Sequence, residues 1–220
     1  MNRTFHIIDK KNWVRSAYFD YYYHRIKCKY NLNANVDITE LIAFQHGHAL
    51  KFFPCMLYAV MKAVNRHKEF RMSFNENNQL GYWEEVVPCY TLFHEETETF
   101  TDIWSEYSED FQVFYRTVLE DMQKYKNVTS AIKARPGQPE NYCPVSCLPW
   151  LSFTGFAQDT YTESPFLFPL IKFGKYFRQG DAILLPVSVF VSHAVADGYH
   201  TCRLINDIQA IVQNPDEWVA

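Results

Sequence analysis

Hydrophobic and polar positions alternate along the chain with two different periods. Apolar residues that recur every three to four positions predict amphipathic helices, at 12–26, 38–46, 53–67, 108–126 and 198–213. Short runs rich in aromatic and β-branched residues, bounded by turn residues, predict strands, at 70–74, 80–86, 89–100, 145–156, 166–176 and 182–192. Helices and strands mixed along the chain indicate an α/β protein with a large sheet.

The strand predicted at 182–192 continues directly into the segment "SHAVADG" at 192–198. Pro186 inside this strand predicts a bulge or an edge. The strand and the helix that follows place His193 at a strand-to-helix turn and Asp197 at or near the helix N-cap. His193 is then a candidate general base, because neutral imidazole accepts a proton near pH 7. The alternative is that Asp197 only caps the helix and His193 is structural.

Composition narrows the possible classes of function. The chain has 220 residues, which suits one domain over 1–220, and its aromatic content is 17%, enough to wall a pocket. The net charge is −4 and no basic run occurs, which argues against a nucleic-acid partner. We find no signal peptide and no apolar run that could span a membrane. We therefore expect a cytoplasmic protein.

The cysteine pattern argues against a metal centre. None of the six cysteines forms a C-x-x-C pair, and in a cytosolic protein we expect them to be reduced and mostly buried. Cys143 and Cys147 are separated by four positions and lie close to prolines, and "HGH" at 46–48 has no second ligand cluster nearby. We expect no metal site.

The segment "SHAVADG" resembles the H-H-A-V-x-D-G signature of the chloramphenicol acetyltransferases. These belong to the wider H-x-x-x-D acyltransferases, which include dihydrolipoyl acyltransferase catalytic domains. Further segments resemble the family in the same order: "NWVRSAYFDYYYHRIKC", "FRMSF", "TLFHEETETF", "SCLPWLSF" and "FGKYFRQGD". The resemblance covers nearly the whole chain. It implies a two-layer α+β sandwich with a large mixed β-sheet packed by helices, and acetyl-CoA as co-substrate.

The resemblance also assigns catalytic roles. It makes His193 the general base toward a substrate hydroxyl, with Nδ1 bonded to the residue's own carbonyl and Nε2 left as the base. Asp197 would form a buried ion pair with Arg15 that holds the turn. Ser146 would donate a hydrogen bond to the negative charge that develops on the thioester oxygen.

The family is trimeric, and its active sites lie between subunits. The resemblance therefore implies a homotrimer, with the base from one subunit and most of the acceptor pocket from its neighbour. The matching acceptor-pocket positions are Tyr21, Tyr22, Ile26, Cys28, Tyr30, Thr91, Phe100 and Phe156. Tyr176 and Lys51 match positions near the coenzyme. Plain core packing is the alternative for each pocket residue.

Several positions depart from the family pattern. Ser192 replaces the first histidine of the signature, Pro144 stands where asparagine is common, and Lys172 where threonine is usual. The segments 131–140 and 157–162 also differ, the second being more polar. Acetylation of chloramphenicol, which confers antibiotic resistance, is the leading function.

Three alternatives remain. The first is the same acetyl transfer to another small hydroxyl compound. The second is a non-catalytic trimeric protein that binds an apolar ligand. The third is a dihydrolipoyl acyltransferase core, although nothing in the sequence resembles the lipoyl and linker segments that usually accompany one.

Overall fold

A computed structural model describes residues 4–158 and 166–219. Ten strands occur in these ranges: β1 (Phe5–Ile7), β2 (Lys29–Asp37), β3 (Met72–Phe74), β4 (Leu80–Trp83), β5 (Val87–His94), β6 (Thr99–Trp104), β7 (Tyr142–Leu148), β8 (Leu170–Gly174), β9 (Phe177–Gln179) and β10 (Ala182–Ser192). The α-helices are α1 (Ser16–Asp20), α2 (Thr39–Gly47), α3 (Phe52–Asn65), α4 (Phe111–Tyr125) and α5 (Gly198–Gln213). A π-helix, Tyr21–Ile26, continues α1, and 3₁₀ turns occupy Lys68–Arg71 and Pro215–Trp218.

The large sheet has the strand order β2-β10-β8-β7-β5-β6, and β9 also pairs with β10. Strand β7 is parallel to β5 and β8, whereas the other pairs are antiparallel. The predicted large mixed sheet is therefore confirmed. Strands β3 and β4, predicted within 70–74 and 80–86, join the unpredicted β1 in a small sheet of order β1-β4-β3 that lies apart from the large one. It requires Gly81, because a Cβ there would lie 2.3 Å from the His6 carbonyl oxygen.

Helices pack against the buried face of the large sheet. Helix α3, almost entirely buried, contacts β5 and β7 as well as α4 and α5. Along β7, Cys143 and Val145 are buried, whereas Pro144 and Ser146, which alternate with them, are half-buried. This alternation is that of a strand with one face in the core. Within the described ranges no helix is long and apolar enough to cross a membrane.

Three predicted elements needed correction. The single strand predicted at 89–100 is instead the hairpin β5–β6, whose turn has Glu98 at φ 51°. The chain turns there because the charged run "EETE" at 95–98 is more stable in solvent than inside a sheet. The helix predicted at 12–26 is α1 followed by the π-helix, which ends at Lys27 with φ 53°. The strand predicted at 145–156 ends at Leu148, just before Pro149.

Pro186 lies at a gap in the pairing of β10. Strand β2 pairs with β10 from Leu184 to Ser192, including Pro186. On the opposite side β9 pairs at 182–184 and β8 at 187–190. The proline, which has no N–H to donate, thus occupies the unpaired interval between β8 and β9. Pro186 therefore lies at a local break in the pairing on one side of an interior strand, and not at an edge of the sheet as the sequence had allowed.

Candidate active site

His193 lies in the turn between β10 and α5, between two tyrosines. Its backbone N–H donates to the Cys28 carbonyl at 3.0 Å. Its imidazole stacks on the Tyr22 ring, with 3.8 Å between centroids and 7° between planes. The Tyr30 ring meets it edge-on at 5.3 Å. The π-helix and the start of β2 therefore hold the imidazole in one orientation.

The expected hydrogen bond from Nδ1 of His193 to its own carbonyl is absent from the described structure. Nδ1 is buried and has no hydrogen-bond partner there. Contact with the rings of Tyr22 and Tyr30 provides the orientation instead. The prediction that a hydrogen bond holds the ring was therefore wrong, and aromatic packing replaces it.

Asp197 fulfils both roles between which the sequence did not decide. It caps α5 by accepting from Tyr199 N–H at 3.1 Å. Its Oδ2 also lies 2.8 Å from Nη1 of Arg15. The predicted ion pair is therefore present, but it is not buried, since the side chains are 17% (Arg15) and 36% (Asp197) exposed. An ion pair open to solvent stabilises less than a buried one.

His200, in the first turn of α5, completes the Asp197 cluster. Its Nδ1 lies 2.8 Å from Oδ1 of Asp197, and its Nε2 lies 3.9 Å from Oε1 of Glu69. Burial alone would raise the pKa of Asp197, but the hydrogen bonds from Arg15 and His200 outweigh it and lower that pKa to about 2. A signal was available, because the third residue after an N-cap is the partner position of a capping box.

A cavity of about 1380 Å³ lies around Ser146. This exceeds the usual range of roughly 300–1000 Å³ for ligand pockets, so it offers room for two substrates. The Ser146 side chain lines the cavity, and within the described chain its hydroxyl has no hydrogen-bond partner. It is therefore free to donate to a bound molecule. Pro144 and Lys172 line the same wall.

The predicted pocket residues divide between His193 and this cavity. Tyr21, Tyr22, Ile26, Cys28 and Tyr30 belong to the π-helix and the residues after it, beside His193. Thr91, Phe100 and Lys51 line the Ser146 cavity.

Two predicted residues lie next to the cavity wall. The Phe156 ring lies under the Lys172 ammonium, 4.9 Å from it. Tyr176 packs on Phe52, another residue of the cavity wall. The segment 157–162 lies partly outside the described residues.

Strand register separates His193 from Ser146 in one chain. Ser146 pairs with Lys172, which pairs with Ser188, and His193 follows five residues further along β10 and its turn. Two strand spacings of ~4.8 Å and five steps of ~3.3 Å put their Cα atoms on the order of 20 Å apart. A general base must come within about 3 Å of the proton that it removes. One chain therefore does not bring the base and this serine to the same reacting atoms.

The described residues contain no group of three or more His, Cys, Asp or Glu side chains that could hold a metal ion. All six cysteines are free thiols, and Cys89 and Cys147 line the cavity. Burial raises the pKa of each of these two thiols to about 12. They are therefore protonated and poorly nucleophilic near neutral pH.

Comparison with known proteins agrees with this geometry. The sequence profile described as chloramphenicol acetyltransferase matches residues 1–209. The chain belongs to the chloramphenicol acetyltransferase family. A chloramphenicol acetyltransferase of Clostridium perfringens is 42% identical over 215 residues, covering 98% of both chains. One of Vibrio anguillarum is 40% identical over 210 residues, covering 96% of this chain and 95% of the relative.

Solved structures show the same fold. A chloramphenicol acetyltransferase structure matches with a TM-score of 0.84 at 20% identity, covering 95% of this chain and all of the other. The dihydrolipoamide acetyltransferase of Azotobacter vinelandii matches with a TM-score of 0.67 at 18% identity, covering 87% and 84%. The predicted family and fold are confirmed, as is the prediction of an acyltransferase enzyme.

Proposed function

We propose that this chloramphenicol acetyltransferase family member transfers the acetyl group of acetyl-CoA to a hydroxyl of chloramphenicol. The relatives that carry this name are 37–42% identical over nearly the whole chain. The observation that carries the proposal is a pair of side chains, each positioned to act on a substrate. One is an imidazole fixed between Tyr22 and Tyr30, and the other is an unbonded serine hydroxyl in a cavity large enough for two substrates.

The chemistry follows from these two groups. Nε2 of His193 takes the proton of the acceptor hydroxyl, whose oxygen attacks the thioester carbonyl. Ser146 donates a hydrogen bond to the oxyanion of the tetrahedral intermediate, a contact worth roughly 3 kcal/mol in comparable sites. When the intermediate collapses, the C–S bond breaks and the coenzyme A thiolate takes the proton from His193. The products are the acetyl ester and free coenzyme A.

The site is proposed to form between subunits of a homotrimer, with His193 of one subunit facing the Ser146 cavity of the next. The separation on the order of 20 Å within one chain supports this arrangement. Large apolar side chains exposed near both groups also support it, because such patches mark association surfaces. Ile26 is 51% exposed, and Trp150 and Leu151 are 61% and 66% exposed. Acetyl-CoA as co-substrate favours action in the cytoplasm, as predicted.

A thiol-release assay tests the reaction. Purified protein is incubated with acetyl-CoA and chloramphenicol, and free coenzyme A is measured with a thiol reagent while the ester is identified by mass. We expect stoichiometric thiol and monoacetylated product. A folded protein that releases no thiol would overturn the proposed function and favour a non-catalytic ligand-binding protein.

Complementation tests the shared site. His193→Ala and Ser146→Ala chains are refolded together in equal amounts and compared with each variant alone. With random mixing, roughly a quarter of the interfaces join an intact His193 to an intact Ser146. We therefore expect the mixture to recover about that fraction of wild-type turnover. Failure of two folded variants to complement would place both groups in sites within single chains.

A further inference from the structure

A row of polar side chains crosses one face of the large sheet at the level of Ser146. Register partners on neighbouring strands point to the same face. Asn33 pairs with Ser188, Ser188 with Lys172, Lys172 with Ser146, and Thr91 with Asp102. Tyr90 pairs with Val145, which places Thr91 beside Ser146. In order across the sheet, the row is Asn33, Ser188, Lys172, Ser146, Thr91 and Asp102.

One charged residue of this row is the direct neighbour of Ser146. Lys172 lines the cavity, and its ammonium lies 4.9 Å above the centroid of the Phe156 ring. Within the described ranges it forms no ion pair. Burial lowers the pKa of Lys172, and the field of Asp102 partly opposes that effect. The ammonium therefore loses solvation without gaining a carboxylate in contact.

Asp102, at the end of the row, interacts more strongly with a different lysine. Its backbone bridges to that of Lys133. Burial raises the pKa of Asp102, and Lys133 lowers it more than Lys172 does. Both Asp102 and Lys133 line the cavity. Of the two lysines that act on Asp102, Lys172 is thus the one left to face a ligand beside Ser146, its partner in the strand register.

The position of Lys172 points to the acceptor rather than to the coenzyme. Phe156, over which its ammonium lies, is a predicted acceptor-pocket residue, and Asn33 and Ser188 hold the Phe156 backbone at 3.1 and 2.9 Å. The phosphates of coenzyme A are at the opposite end of the molecule from the reacting sulfur. An anion beside Ser146 and Phe156 would therefore belong to the acceptor.

We propose that Lys172 makes this site favour hydroxyl acceptors that carry a carboxylate, a class of substrate beyond chloramphenicol. The proposal depends on the acetyl-transfer function proposed above. A carboxylate seated on Lys172 would form a charge-assisted hydrogen bond in a partly desolvated wall, where such bonds are strong. It would also neutralise a charge that the free protein holds without a carboxylate in contact.

Two acceptors of nearly equal size and shape test this selectivity: 4-(hydroxymethyl)benzoate and 4-(hydroxymethyl)benzamide. The kcat/KM of each is measured by thiol release with the full chain. We expect the wild type to favour the benzoate by about tenfold, the ratio that one modest charge-assisted contact supplies. Lys172→Met is expected to abolish the preference by raising the KM for the benzoate. Lys172→Arg is expected to keep most of the preference.

Lys133→Met is the matched control, because it removes another lysine of the same cavity while leaving Lys172 in place. It should keep the preference for the benzoate. Equal loss of the preference in Lys133→Met and Lys172→Met would overturn the proposal in favour of a diffuse positive potential. A wild type that favours the benzamide, or uses both equally, would overturn it as well. An effect of Lys172→Met confined to the KM for acetyl-CoA would assign the lysine to the coenzyme.

Chloramphenicol turnover, measured in parallel, separates failure of this proposal from failure of the function. If no acceptor releases thiol, the acetyl-transfer proposal fails. Equilibrium binding of the benzoate and the benzamide to wild type and Lys172→Met then still tests the lysine. We expect tighter binding of the benzoate to the wild type only, and equal binding by both proteins would refute the role of Lys172.

Discussion

The charge of Asp197 should stabilise the fold in a pH-dependent way that Asp197→Asn removes. Asparagine is as good an N-cap as aspartate, so the contact with Tyr199 N–H can survive the substitution. The attraction of the Asp197 carboxylate to the Arg15 guanidinium and to the His200 imidazole is lost in the substitution. The substitution thus isolates the charge from the cap.

The lowered pKa of Asp197 sets the magnitude. A fall from the ordinary 3.8 to about 2 corresponds to about 2 kcal/mol of stabilisation at neutral pH. The side chain is 36% exposed, so solvent screening reduces this to about 1 kcal/mol. Because the pKa is lowered in the folded state, the stabilisation is complete above the ordinary value. It disappears as the pH falls from about 4 through about 2.

Urea unfolding followed by tryptophan fluorescence measures the effect, at one protein concentration because association contributes to stability. Asp197→Asn should unfold at lower urea than wild type at pH 7, and the two curves should converge near pH 2. Asp216→Asn, an exposed carboxylate with no side-chain partner in the described chain, is the matched control and should match wild type throughout. Equal stability of Asp197→Asn and wild type at pH 7 would refute the reasoning, as would a difference that persists unchanged near pH 2.

Four further predictions concern His193, the tyrosine stacked on it, the core and the thiols. His193→Ala should lower kcat by about 10³-fold or more without changing the sedimentation profile, and appreciable turnover would argue against its assignment as the base. Tyr22→Phe should keep near-normal turnover, because phenylalanine retains the ring that stacks on His193. Tyr22→Ala removes that ring and should lower kcat; equal kcat values for the two variants would contradict the role of the stack. Phe114 is fully buried, so Phe114→Ala should cost about 3–5 kcal/mol of unfolding free energy. A loss below about 1 kcal/mol would mean that the core around Phe114 is loosely packed. A thiol reagent should label exposed Cys202 in the native protein but Cys143 only after unfolding, because Cys143 is buried and its pKa raised; peptide mapping that finds native labelling of Cys143 would contradict its burial.

The strongest periodic patterns were predicted to the residue. Strand β10 and helix α5 occupy 182–192 and 198–213, as expected, because a long apolar run and a regular stripe leave little ambiguity. Strand β2 was missed although Tyr30, Leu32, Ala34 and Val36 alternate with polar residues. Three asparagines, which rarely favour strands, obscured that alternation. The hairpin β5–β6 was missed because its turn contains no glycine, proline or asparagine.

The sequence identifies candidate site residues one by one but not how they assemble. The local pattern predicted the position of His193 between a strand and a helix. The family resemblance predicted the ion pair between Asp197 and Arg15. The distance between His193 and Ser146 depends on which strands pair and in what register, and no local pattern encodes this. The stacking of the His193 ring on Tyr22 likewise joins two distant parts of the chain, which no local pattern predicts.

The position of β10 also determines the order in which the molecule can fold. It is the last strand along the described chain, yet it lies inside the sheet between β2 and β8. During synthesis, β2 and β8 therefore have open edges until the C-terminal part emerges, and such edges are prone to wrong pairing. The contact between Arg15 and Asp197, 182 residues apart, closes only then. A nascent chain stalled before β10 lacks the strand that joins β2 to β8, and it lacks His193, the residue proposed as the base.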